Sequence, residues 1–121
     1  MITPEKNLLV VDNDEDWLSL LERFFILEGY KVHTAQKCEE ALVKAKELRP
    51  ACIIVDLHLG RENGLDLCSA AKATAELKDI PVIILSGAEA PENSGGSSYD
   101  AYICKALGVV PLLTVVKKLT R

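Results

Sequence analysis

The chain has 121 residues, about half of them apolar (49%), with 14 basic and 18 acidic residues and a net charge of −4. That is enough chain for one core, too little for two ordinary domains, and too apolar to stay disordered, so residues 1–121 are read as one domain. The acidic balance leaves no electrostatic footprint for nucleic acid or an anionic membrane surface. No apolar stretch approaches a spanning length, and Met1-Ile2-Thr3-Pro4-Glu5-Lys6 is not a secretory leader, so a cytoplasmic location is expected. Cys38, Cys52, Cys68 and Cys104 are widely spaced, with no Cys-x-x-Cys pair. They read as buried, reduced thiols rather than as zinc ligands or a disulfide framework.

Taken in order, the chain alternates strand and helix signals without an internal repeat. A first strand spans about Asn7 to Val11, and a first helix runs from about Asp14 to Leu27. Asp14 suits the N-cap, Gly29 suits a left-handed residue after the helix, and Trp17, Leu18, Leu21, Phe24 and Phe25 share one stripe. Lys31 to Ala35 is a more mixed strand, as an edge strand would be. A second helix carries Cys38, Ala41, Leu42, Ala45 and Leu48 at helical spacing and stops before Pro50. The third strand ends at Asp56, and a third helix follows Gly64 with Leu67, Cys68 and Ala71 inward. Ile80 to Leu85 and about Ala101 to Cys104 are the last strands, and a final helix begins near Pro111, a residue suited to a first turn. Between the last two strands, Pro91-Glu92-Asn93-Ser94-Gly95-Gly96-Ser97-Ser98 opposes helix, so the fourth helix is expected to be short or missing.

This alternation calls for an α/β fold, a single doubly wound five-stranded parallel sheet with helices on both faces. The most continuously apolar strands are the first, third and fourth, which should be central. The flavodoxin-like order 2-1-3-4-5 satisfies that. Such sheets bind ligands beyond the carboxyl ends of their strands. That rim carries Asp12, Asn13 and Asp14 after the first strand, Asp56 after the third, Ser86 after the fourth and Lys105 after the fifth. Asp12, Asn13 and Asp56 could supply oxygen ligands to a hard dication such as Mg2+. Asp56 could then act as a nucleophile toward phosphorus, with Lys105 and the Ser86 hydroxyl stabilising phosphoryl oxygens.

At these residues the chain resembles the receiver domain of two-component response regulators, over nearly its whole length. Val10-Val11-Asp12-Asn13-Asp14 matches the acidic pocket, Val55-Asp56-Leu57 the phosphoacceptor, and Gly64 the glycine that opens helix three. Leu85-Ser86-Gly87 matches the switch hydroxyl segment, and Ala101-Tyr102-Ile103-Cys104-Lys105 the switch aromatic and lysine. The resemblance implies that Asp56 takes a phosphoryl group from a sensor histidine kinase or phosphotransfer protein. It implies Mg2+ held by Asp12, Asn13, Asp56 and the backbone carbonyl of His58, with Lys105 pairing the acceptor. It implies that Ser86 and Tyr102 move on phosphorylation. A downstream effector would read helix four, strand five and helix five, as a local charge change biasing a bistable element.

Several residues depart from that pattern. Asn13 stands where a second acid is usual, which predicts weakened Mg2+ binding. Gly60 replaces a proline and should loosen the loop after Asp56, and Ala106 replaces the proline after the lysine. The interval from Ser86 to Lys105 is also short for the family. His58 is read equally as a tuning residue for hydrolysis and as a solvent-facing histidine. The apolar start of the last helix, Val109, Val110, Leu112, Leu113, Val115 and Val116, offers a partner or homodimer surface. The chain ends with that helix, so no effector domain is expected. The main alternative is a degenerate receiver acting as a phosphorylation-independent binding module. An enzyme is disfavoured. A dehalogenase-type phosphatase would want an aspartate at His58, and a flavodoxin would want a phosphate-binding loop where Asp12-Asn13-Asp14-Glu15-Asp16 stands.

Overall fold

The computed structural model describes residues 6–87 and 99–120. Residues 88–98, on which the expectation for a short or missing fourth helix falls, lie outside that range. In chain order the elements are β1 (Asn7–Val11), α1 (Glu15–Leu27), β2 (Lys31–Ala35), α2 (Cys38–Leu48) and β3 (Cys52–Asp56). There follow β4 (His58–Leu59), β5 (Glu62–Asn63), α3 (Gly64–Lys72), β6 (Val82–Ser86), β7 (Ala101–Cys104), a single 3-10 turn (Lys105–Leu107) and α4 (Val109–Leu119).

The five longer strands form one parallel sheet in the order β2-β1-β3-β6-β7. This is the expected 2-1-3-4-5 arrangement, with the mixed strand β2 and the short strand β7 at the edges. Every residue of β3 and β6 is buried, as a strand covered on both faces requires. The alternation of side chains along β1 divides the core in two. Leu9 and Val11 pack with Ala41 and Ala45 of α2 and Leu67, Cys68 and Ala71 of α3. Leu8 and Val10 pack on the other face with Leu18, Leu21 and Phe25 of α1 and Leu112 and Val116 of α4. Burial of each large side chain contributes about 1.5–3 kcal/mol, which holds the helices to their faces.

Local chemistry sets the element ends. The Asp14 carboxylate accepts the backbone N–H groups of Asp16 (3.0 Å) and Trp17 (3.3 Å), the expected N-cap of α1. Gly29 follows α1 at φ +94°, also as expected. A buried hydrogen bond between Tyr30 and Thr120 (3.0 Å) ties the end of α4 to this turn.

Two expectations are corrected. The strand read as beginning at Ile80 begins at Val82. Ile80 N–H closes a turn on the Leu77 carbonyl, and Pro81 has no N–H to give the ladder. Val82 N–H is taken by the Asp100 carboxylate at 2.7 Å, and Lys72 pairs with that carboxylate at 2.9 Å. Only Cys52 and Cys68 are buried; Cys38 and Cys104, near element ends, are partly exposed, and all four are free thiols. The loop after Asp56 carries Gly60, which was expected to loosen it. It folds into an antiparallel hairpin, with His58 opposite Asn63 and Leu59 opposite Glu62. Gly60 takes φ +62° at its tip, a conformation that an L side chain disfavours.

Candidate functional site

Parallel pairing brings four chain-distant residues to the carboxyl edge of the sheet. Asp12 follows β1, Asp56 ends β3, Ser86 ends β6 and Lys105 follows β7. The Lys105 ammonium reaches over this edge and lies 3.0 Å from Asp12 Oδ2 and 3.3 Å from Asp56 Oδ2. The other Asp12 oxygen accepts the Asp14 backbone N–H at 2.9 Å, which fixes the carboxylate at the start of α1. Asp12 is 1% exposed and Asp56 8%, so both carboxylates are nearly desolvated and share one ammonium.

That arrangement leaves the pocket short of positive charge. Burial raises the Asp56 pKa above its ordinary value, and the adjacent Asp12 carboxylate raises it further. Lys105 and the His58 backbone N–H oppose the shift without cancelling it. A lysine alone therefore under-compensates two buried carboxylates. The donors present, two carboxylates and the Asn13 amide at one rim, are all oxygen, which suits a hard dication that keeps several waters. Among the described residues no three His, Cys, Asp or Glu side chains converge as a metal cluster. The fit to a dication thus rests on the two aspartates, with Asn13 supplying no charge.

Not every predicted site residue joins this contact. Asn13 is solvent-exposed. A side-chain carbon placed on Gly60 would lie 3.6 Å from Asn13 Nδ2, so the amide sits beside the hairpin tip. Ser86 is fully buried at the end of β6, in register with Cys104. The His58 side chain is exposed; its backbone carries the contact to Asp56. Tyr102 pairs in register with Ile84, and its ring packs on the α2–α3 face with Tyr99 at 5.7 Å between centroids. The Tyr102 hydroxyl is buried without a hydrogen-bond partner among the described residues.

The fold also shows contacts that the sequence did not reveal. Glu62, on β5, accepts the Cys38 backbone N–H at 3.2 Å and so caps α2, whose own N-cap residue, Lys37, offers no side-chain cap. Burial and, after it, the same carboxylate push the Cys38 thiol up to about 11. Asn63 caps α3 by accepting Leu65 N–H at 2.8 Å. An Asn directly before Gly64 and an apolar run is an N-cap signal that was readable in the sequence. Gly64 donates its N–H to the Leu57 carbonyl at 2.8 Å, bringing the start of α3 against the backbone of Asp56. Trp17, in the first turn of α1, places its ring 5.2 Å from the Lys105 ammonium.

Comparison with known proteins agrees with this geometry. The response regulator receiver domain family matches residues 8–111. The transcriptional regulatory protein PrrA of Mycobacterium leprae is 34% identical over 117 residues, covering 94% of this chain and 49% of the relative. The chain spans about half the length of the curated relatives it matches. Among solved structures, the response regulator TrrA of Thermotoga maritima, in complex with Mg2+ and BeF, is 30% identical with a TM-score of 0.83, covering 94% of this chain and 98% of that one. A response regulator of Burkholderia pseudomallei with a phosphorylated aspartic acid is also 30% identical, with a TM-score of 0.80, covering 93% and 66%. With its five-stranded order, its acidic edge and these relatives, the chain belongs to the response regulator receiver domain family of two-component systems.

Proposed function

We propose that this domain is a phosphoacceptor switch, phosphorylated on Asp56. The observation that carries the reading is the Lys105 ammonium bridging Asp12 and Asp56 at the carboxyl edge of the sheet. In the step proposed, an Asp56 carboxylate oxygen forms a bond to phosphorus as the phosphorus–nitrogen bond of a donor phosphohistidine breaks. The electron pair leaves on the imidazole nitrogen, which takes up a proton. Lys105 and the Ser86 hydroxyl face the charge that gathers on the phosphoryl oxygens. Mg2+, held by Asp12, Asp56, Asn13 and the His58 carbonyl, would supply further charge neutralisation of those oxygens. The relative with a phosphorylated aspartate and the one complexed with Mg2+ and BeF support both parts of the reading.

The partners would be a histidine kinase or phosphotransfer protein upstream and an effector downstream. The readout passes through Ser86 and Tyr102 to the β7–α4 side, where Leu107 and Val110 are exposed apolar residues suited to a partner or a second copy. The relative PrrA, about twice this length, is named a transcriptional regulatory protein, so an effector that acts on DNA suits the comparison better than the expectation of no nucleic acid. A second reading, a phosphorylation-independent binding module, has Asn13 in its favour, because the pocket lacks the second acid.

The test is incubation with Mg2+ and acetyl phosphate or phosphoramidate beside an Asp56→Asn control, read by intact mass. A phosphoryl adduct on the native chain alone is expected. No adduct at high Mg2+ would leave the binding module as the better account.

A further inference from the structure

We propose that Trp17 is a positioning residue of the phosphoryl-transfer site, its indole face holding the Lys105 ammonium over Asp12 and Asp56. The proposal rests on the reading of Asp56 as acceptor and Lys105 as its cation. Lys105 has a flexible four-carbon stem, so its ammonium must be restrained to serve one geometry. Two restraints are the carboxylates, at 3.0 and 3.3 Å. The third is the Trp17 ring, whose centroid lies 5.2 Å from Nζ, within the range of a cation–π contact. The Lys105 side chain is only 24% exposed, so the contact is partly desolvated and stronger than at an open surface.

The state of the indole supports the assignment. Its Nε1–H is buried and has no acceptor among the described residues. A buried, unpartnered donor is disfavoured and calls for a reason. Among the described residues no hydrogen bond of that group sets the ring orientation, which leaves the ring's other contacts. These are the apolar neighbours on the α1–α4 face and the ammonium. The backbone fixes the ring's origin, since Trp17 N–H is one of the two donors capped by Asp14. Asp14 thereby couples the two sides of the clamp: its carboxylate caps α1 below Trp17, and its own N–H holds Asp12 Oδ1 at 2.9 Å.

A role as mere core filler predicts lost stability on truncation and an unchanged transfer rate. A positioning role predicts a rate that follows the aromatic face. The test compares native chain, Trp17→Leu and Trp17→Phe by three readouts: the proton resonance of the Lys105 ε-methylene, the initial rate of adduct formation from phosphoramidate with Mg2+, and the thermal midpoint. The native ε-methylene should be shifted upfield by the ring current, and Trp17→Leu should return it to the ordinary lysine position. Trp17→Leu should form adduct about five-fold more slowly, the size of a partly desolvated cation–π contact, with Trp17→Phe in between. An unshifted resonance in the native chain would overturn the proposal. So would two variants that match the native rate while losing stability alike. Should the Leu variant not fold, the native resonance and the Phe variant decide by the same criteria. If the native chain takes no phosphoryl group, the reading of Asp56 fails, and the resonance alone still decides whether Trp17 holds Lys105.

Discussion

Gly64→Ala tests the close approach that seats the phosphoacceptor strand. A Cβ at residue 64 would lie 2.3 Å from the Asp56 carbonyl oxygen, 3.1 Å from its carbon and 3.2 Å from Leu57 Cα. All three are backbone atoms, so no side chain can swing away. The start of α3 must back off from β3 by about 1 Å to restore an ordinary contact. Overpacking of that kind costs about 1–3 kcal/mol. The displacement also strains the Gly64 N–H to Leu57 carbonyl bond of 2.8 Å, a net loss of about 1 kcal/mol. Against this, alanine restricts the unfolded chain and favours helix by about 1 kcal/mol. The balance is a destabilisation of about 2 kcal/mol. With about 2.1 cal/mol/K of unfolding entropy per residue over 121 residues, the thermal midpoint should fall by about 8 °C. Gly87→Ala is the control, because a Cβ there meets nothing within 4 Å among the described residues. Thermal unfolding followed by far-ultraviolet circular dichroism measures both. A Gly64→Ala midpoint within a degree or two of the native chain would refute the reasoning, as would equal losses in the two variants.

Asp56→Asn should raise the midpoint at neutral pH. The folded-state pKa of Asp56 lies above the ordinary 3.8, so the native state holds that proton more tightly than the unfolded chain does, and ionisation costs stability as pH rises through the window above 3.8. The gain from the variant should shrink as pH falls toward that value, and midpoints in acidic and neutral buffer read it. Asp14→Ala removes the acceptor for Asp16 and Trp17 N–H and should cost about 1 kcal/mol, or about 4 °C, in the same assay. Arg49 ends α2 at φ +45°, so Arg49→Gly should stabilise the fold by about 0.5–1 kcal/mol, read by urea unfolding. Asn13→Asp should tighten Mg2+ binding about tenfold by adding a unit charge at the rim, read through the fluorescence of Trp17, the chain's one tryptophan.

What could be read in the sequence is what is encoded within a few residues. Four apolar residues before Asp56 require a strand buried on both faces. The stripe Leu18-Leu21-Phe25 requires a helix against a sheet, and Asp14 and Gly29 mark its ends. Because parallel strands point one way, the residues after them must gather at one edge, which placed Asp12, Asp56, Ser86 and Lys105 together before any coordinates. The reading failed where the deciding partner is far away in sequence. The start of β6 depends on Asp100 taking Val82 N–H, 18 residues on. The cap of α2 depends on Glu62 accepting the Cys38 N–H, 24 residues back.

The same division holds at the site. Local pattern determined which residue types reach the rim; it carried no information on which of them touch. Only the register of β1, β3, β6 and β7 decided that Lys105 spans 93 positions to meet Asp12 and also reaches Asp56, that Trp17 lies beside it, and that Asn13 turns toward Gly60 instead. Propensity and periodicity act over one or two turns of chain, whereas ion pairs and ring contacts depend on ångström distances that packing alone sets.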